Sequence, residues 1–213
     1  LNQGFRVSGS DLSIPEVTRH LVDIGATVYE GHNPENLKDV DVLVYSSAVS
    51  QDNPEVMAAM DRKIPVIRRA EMLAEVMRLH HGIAVAGTHG KTTTSMLGMV
   101  LIEGEKDPTV IVGGKLHAFG GTNARLGSGE FMVVEADEFD RSFLKLNPSI
   151  AVLTTLEEEH LDIYSNIEDL KAAFVEFANK VPFYGFVTLC LDEPALRSEE
   201  HTSKLQSRQS ISY

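Results

Sequence analysis

What the sequence has least of narrows its class first. It holds one cysteine, Cys190, so no internal disulfide can form, and that usage suits a reducing compartment. Basic residues are in deficit: 19 Lys and Arg stand against 31 Asp and Glu, a formal charge of −12. This argues against non-specific binding to nucleic acid or an anionic membrane, since both require clustered cations. No apolar run approaches the roughly 20 residues of a bilayer span, and no signal peptide opens the chain, so membrane insertion is not expected. Internal repeats are absent as well. What is there, 43% apolar and 23% charged residues over 213 positions, reads as a soluble, cytoplasmic globular protein. The length allows one large domain or two small ones.

Both ends look cut. The first residue is Leu1, and Phe5–Ser8 reads as a strand with no element before it. From Arg197 to Tyr213 the apolar periodicity gives way to Ser, Gln and charge. RSEEHTSKLQS resembles, with one difference at Lys204, the translation of a common short-read sequencing adapter. The expectation is a piece of a longer protein, with 198–213 a non-native tail set aside from the fold.

Between the ends, strand and helix alternate. Ser13-Ile14-Pro15-Glu16 has capping-box spacing before Val17, Leu21 and Ile24, and Gly25 stops that helix. Thr27–Tyr29, Asp41–Tyr45 and Ile64–Ile67 read as strands, with a helix opened by Asn53-Pro54-Glu55 and another from Ala70 to Leu79. A second unit starts near Gly82. It has strands at Ile83–Ala86, Phe131–Glu135, Ile150–Leu156 and Phe186–Leu191, and helices at Lys91–Ile102 and Ile167–Val181. The fold class is α/β: a Rossmann-like parallel-sheet domain over residues 1–80, then part of a phosphate-loop α/β domain over 81–197.

Gly87-Thr88-His89-Gly90-Lys91-Thr92-Thr93 joins the strand ending at Ala86 to the next helix. Glycines let backbone N–H groups converge on phosphate oxygens, and the helix N-terminus adds its positive dipole end. Lys91 can reach the outer phosphates, and the Thr92 hydroxyl can ligate Mg²⁺. Val85 stands where the general pattern places its first glycine, so the alternative is a Gly-rich turn with an N-cap Thr. Glu135 follows an apolar run, at a strand end where a Mg²⁺ carboxylate belongs; Asp137 and Glu138 have weaker claims. His160 follows the next buried strand and reads either as a surface histidine or as a metal or phosphate ligand. Ser10 and Asp11 lie just past the first strand, where Asp11 either accepts ribose hydroxyls or caps a helix.

Taken together, GTHGKTT (87–93), GGKLHAFGGTNARLG (113–127), EADEFDRSFLKLNPSIAVLTTLEEEHLDIY (135–164) and FVEFANKVPFYG (174–185) resemble the ATP-dependent Mur ligases of peptidoglycan synthesis. The likeness extends over about 1–197 through VSGSDL (7–12), SSAV (46–49), DNPEV (52–56) and RRAEMLAEVMR (68–78), and is strongest to the branch that uses L-alanine. The family implies a UDP-sugar domain, a central ATP domain and a further domain that helps admit the amino acid. It also implies an acyl-phosphate route from UDP-N-acetylmuramate and L-alanine to an amide, with ATP and Mg²⁺. By motif, the resemblance makes Lys91, Glu135 and His160 catalytic, Thr92, Glu135 and His160 metal ligands, and Gly87–Thr93 the nucleotide loop. Thr122, Asn123 and Arg125 then face the muramyl group or form a surface turn, and Ser10, Asp11, His32, Ser46 and Ser47 contact the UDP-sugar. Thr155 stands where the family has Asn and Glu159 where Asp is common, so this chain departs from the family pattern at both positions. The piece alone is expected to be inactive, and oligomeric state is left open. Rival readings are a ligase that recycles a whole tripeptide, a non-catalytic nucleotide-binding module, and a phosphate-loop ATPase driving a partner.

Overall fold

The computed structural model describes residues 1, 3–14, 16–90, 92–116, 122–139, 141–157, 163–190, 192 and 196. It divides into two compact units, Leu1–Met72 and the chain from Leu73 onward.

In the first unit, β1 (Ser8–Asp11) pairs in parallel with β2 (Thr27–Glu30), and β3 (Leu43–Tyr45) with β4 (Val66–Arg68). Helix α1 (Glu16–Asp23) links the first pair and α2 (Pro54–Asp61) the second. Gly25, at φ +105°, closes α1: Ala26 N–H donates to the Leu21 carbonyl and Gly25 N–H to Val22. Asn53 caps α2 by accepting from the N–H groups of Glu55 and Val56, with Pro54 in the first turn as the sequence predicts. The capping box expected at 13–16 includes Pro15, outside the described residues. The core is small, with Leu37, Leu43, Val56 and Ala59 buried together. The first strand is Ser8–Asp11 rather than Phe5–Ser8: parallel pairing starts at Ser8 opposite Thr27, and Phe5 is 66% exposed.

Helix α3 (Arg69–Met77) spans the division, and its Ala74 and Met77 bury in the core of the second unit. That unit is a six-stranded sheet in the order β10-β9-β5-β8-β6-β7. Its strands are β5 (His81–Ala86), β6 (Thr109–Leu116), β7 (Thr122–Arg125), β8 (Phe131–Ala136), β9 (Ile150–Leu153) and β10 (Phe186–Leu189). Five are parallel, and β7 runs antiparallel to β6 at the edge. Strands β6 and β7 were not among the strands read from the sequence, although the β-branched run Thr109-Val110-Ile111-Val112 was a signal for β6. Helix α4 (Thr92–Glu103) follows β5 and approaches β6 so closely that a Cβ on Gly98 would lie 2.8 Å from Val110 Cγ2. Helix α5 (Ile167–Asn179), capped by Asn166, buries Phe174 and Phe177 against Phe143 at ring separations of 5.3 and 5.1 Å. Burying each such ring contributes about 1.5–3 kcal/mol, which anchors α5 on the sheet. Among the described residues no helix is long and apolar enough to cross a membrane.

Candidate functional site

The loop after β5 is shaped by glycine and held by threonine. Gly87 and Gly90 adopt φ of +152° and +82°, a range L side chains rarely occupy. Space is short as well: a Cβ on Gly87 would collide with Thr154 Oγ1, and one on Gly90 would sit 3.3 Å from Thr154 Cβ. Thr154 and Thr155, directly after β9, fasten the loop. Thr154 Oγ1 donates to the His89 carbonyl at 2.5 Å, and its N–H to Ala86 at 3.0 Å. Thr155 Oγ1 accepts the His89 N–H at 2.8 Å and shares a hydrogen bond with Thr88 Oγ1 at 3.0 Å, while its carbonyl accepts Thr88 N–H. Thr88 Oγ1 also accepts the Glu157 N–H at 3.0 Å. The position where the family pattern has Asn is therefore a loop anchor in this chain. Thr154 escaped the sequence reading, since nothing in a strand-end Thr-Thr pair tells which loop it will meet.

Glu135 lies inside β8, paired in register with Val85, because pairing runs one residue beyond the expected strand end, to Ala136 opposite Ala86. Half-buried, it stands on the strand adjacent to the one that carries the loop. Its Oε2 accepts the Gly113 N–H at 3.0 Å, and a Cβ at Gly113 would come within 3.2 Å of Oε1. Beyond β8, Asp137 accepts the Phe139 N–H, and Glu138 is fully buried with its carbonyl accepting the Tyr164 hydroxyl at 2.7 Å. Arg141 stacks over the Tyr164 ring, 4.7 Å from its centroid, and donates to Asp169 Oδ2. That guanidinium, with the Ser165 N–H, holds the Asp169 carboxyl below the usual carboxylate range. The segment after β8 is thereby tied to the start of α5.

Lys91 and His160 lie outside the described residues, and Thr92 is described as the first residue of α4 but not in its side chain. Thr93 donates its N–H to the Gly90 carbonyl. Thr122, Asn123 and Arg125 form edge strand β7 instead of a loop. The Arg125 guanidinium is engaged within its own hairpin, on Asp107 Oδ1 at 2.5 Å and the Pro108 carbonyl at 2.7 Å. Asp107 also accepts Ser128 N–H and Oγ–H; these bonds, the backbone one foremost, and Arg125 hold its carboxyl well below the usual range. Among the described residues no cluster of three His, Cys, Asp or Glu is arranged to hold a metal.

In the first unit the structure brings Ser10 and His32 together, with Ser10 Oγ 2.8 Å from His32 Nδ1. It adds a residue that sequence reasoning missed. Glu55 accepts the Ser10 hydroxyl at 2.7 Å on Oε2, and Asn36 Nδ2 at 2.7 Å and Asn33 N–H at 3.0 Å on Oε1. In the sequence, Glu55 reads as an ordinary first-turn acid of α2. Asp11 Oδ1 accepts the Ser13 N–H at 3.4 Å, a local turn contact, while Ser46 and Ser47 follow β3 without joining this network.

Comparison with known proteins fits these features. The profile described as "Mur ligase family, catalytic domain" matches residues 1–81, and "Mur ligase middle domain" matches 85–213. A UDP-N-acetylmuramate–L-alanine ligase of Geotalea uraniireducens is 58% identical over 193 residues, covering 90% of this chain and 42% of that protein. The ligase of the same name from Myxococcus xanthus is 58% identical over 199 residues, covering 93% of this chain and 42% of the relative. The chain thus spans well under half the length of these curated relatives. Among solved structures, UDP-N-acetylmuramate-alanine ligase MurC from Thermotoga maritima superposes with a TM-score of 0.75 at 27% identity, over 97% of this chain and 47% of that one. The UDP-N-acetylmuramate:L-alanyl-γ-D-glutamyl-meso-diaminopimelate ligase of Neisseria meningitidis gives 0.83 at 30%, over 98% and 71%. With profiles matching both its halves, the chain belongs to the Mur ligase family.

Proposed function

We propose that this chain provides the UDP-sugar and ATP faces of a cytoplasmic ligase that joins L-alanine to the lactyl carboxylate of UDP-N-acetylmuramate. The observation that carries the reading is the glycine loop between β5 and α4, anchored by Thr154 and Thr155 beside Glu135, in a chain 58% identical to ligases of that name. A free carboxylate is a poor acylating agent, so the lactyl carboxylate first attacks the γ-phosphorus of ATP, the bridging P–O bond breaks to release ADP, and an acyl phosphate forms. The L-alanine amine then adds to that carbonyl, and inorganic phosphate leaves from the tetrahedral intermediate. The protein's work is to hold two anions in line and offset their repulsion. In this reading the Gly87–Thr93 backbone cradles the phosphates and Lys91 steadies the outer ones.

The donors fit a hard cation. Glu135 offers a half-buried carboxylate whose orientation is fixed by the Gly113 N–H, and Thr92 opens the helix that follows the loop from β5, the strand paired with β8. Glu135, Thr92 and His160 would hold Mg²⁺, which when bound neutralises phosphate charge. Thr122, Asn123 and Arg125 remain candidates for the muramyl side; for Arg125 this requires opening its pair with Asp107.

A second reading is favoured by one observation, the TM-score of 0.83 to the Neisseria tripeptide ligase. The fold is common to both, so identity weighs more, 58% against 30%. The deciding assay follows phosphate release from ATP by the protein expressed from its own gene. Release that requires UDP-N-acetylmuramate and L-alanine together supports the L-alanine ligase. Release with the tripeptide in place of L-alanine moves the protein to the second reading.

A further inference from the structure

Ser10 has a single hydroxyl proton and gives it to Glu55 Oε2, because an ionised carboxylate can only accept. The 2.8 Å contact between Ser10 Oγ and His32 Nδ1 then has one consistent direction: Nδ1 carries a proton and donates it. A neutral His32 is thereby fixed as the Nδ1–H tautomer, with a lone pair on Nε2. Among the described residues Nε2 has no hydrogen-bond partner. The carboxylate that sets this order is itself held by Asn33 N–H and Asn36 Nδ2 on Oε1. Three separate segments, at Ser10, at 32–36 and at Glu55, thus share one polar hub.

We propose that Glu55 is the positioning residue of the first unit's ligand face, fixing through Ser10 the His32 tautomer whose Nε2 accepts a hydroxyl or N–H of the UDP-sugar. The proposal rests on the reading of this unit as the UDP-sugar face. Glu55→Gln tests it with almost no change of shape. Two donors, Asn33 N–H and Asn36 Nδ2, keep the amide oxygen on their side, so the new NH₂ faces Ser10. Ser10 Oγ then accepts from that NH₂, and its own proton is released to be donated to His32 Nδ1, which favours the imidazole proton on Nε2. The variant therefore turns an acceptor toward the ligand into a donor, a reversal that a merely structural glutamate would not produce.

The experiment labels the chain with ¹⁵N-histidine and records two-bond ¹H–¹⁵N correlations near pH 8, where free imidazoles are neutral. His32 is assigned by its loss in His32→Gln. The wild type is expected to show Nδ1–H and Glu55→Gln to show Nε2–H, with affinity for UDP-N-acetylmuramate lower by about tenfold. Ser10→Ala, which keeps the Asn33 and Asn36 bonds, is expected to relax the Nδ1–H preference too. The same tautomer in wild type and Glu55→Gln overturns the proposal, as does a reversed tautomer with unchanged affinity. A folded wild type that binds no UDP-N-acetylmuramate while its His32 shows Nδ1–H removes the UDP-sugar reading, and the positioning role with it.

Discussion

The second unit builds its loop from backbone, whereas the first builds its polar face from side chains. Between β5 and α4, two glycines take conformations that other residues rarely adopt, and strand-end threonines hold the loop by its own N–H and carbonyl groups. Around Ser10, Gly31 turns left-handed at φ +79° just before His32, but the polar side chains are ordered by one carboxylate that gathers three segments. The difference suits the chemistry proposed for each. Phosphate is recognised by converging N–H dipoles and tolerates changes of side chain, while a nucleoside's hydroxyls and imide require a set direction for each donor and acceptor. A backbone site fails when a glycine gains a Cβ; a side-chain site fails when one proton changes place.

The largest effect expected is from Lys91→Ala, which removes the charge that the proposed function assigns to the outer phosphates. Turnover in the protein expressed from its own gene is expected to fall by about 100-fold or more with circular dichroism unchanged. Turnover close to wild type would remove Lys91 from the site. Next comes Gly87→Ala, which combines a disfavoured φ with a collision on Thr154. It is expected to cost about 1–3 kcal/mol and to weaken ATP binding at least tenfold, read by denaturant titration and calorimetry. A Gly87→Ala variant with unchanged stability and ATP affinity would mean that the loop is not held as described. Thr155→Val keeps the shape but removes the hydroxyl that accepts the His89 N–H, for a loss of about 1–2 kcal/mol and faster hydrogen exchange at His89. UDP-sugar affinity should stay unchanged, since the first unit's face uses other residues.

The smallest effect lies outside both faces. Asp107 titrates well below its ordinary value in the folded chain, so its contribution is present above the unfolded pKa of about 3.9 and is lost as pH falls through the folded value. Asp107→Asn is therefore expected to lower the melting temperature at pH 7, with the gap to wild type closing below about pH 4. A gap that persisted in acid would contradict the assignment of that pair to Arg125 and Ser128.

The same contrast explains what could be read from sequence. The glycine loop is contiguous, so its glycines are written side by side with the strand before it and the helix after it. The strand carrying Glu135 was legible from its apolar run, with its end off by the one residue through which pairing continues. Glu55 was not legible: Ser10 stands 45 positions from it and Asn33 stands 22, and Asn53-Pro54-Glu55 is fully accounted for as a helix start. Thr154 and the anchoring role of Thr155 were hidden similarly, since their meaning depends on β9 lying beside β5. Edge strand β7 was read as a loop because Thr122–Arg125 lacks an apolar face and is held by pairing with β6.

The most direct test of the division between the faces is amide chemical-shift mapping on the 213-residue chain, titrated separately with ATP and with UDP-N-acetylmuramate. ATP is expected to move the amides of Gly87–Thr93, and UDP-N-acetylmuramate those around Ser10 and His32. ATP shifts confined to the first unit, or a UDP-sugar response confined to the loop, would contradict the account.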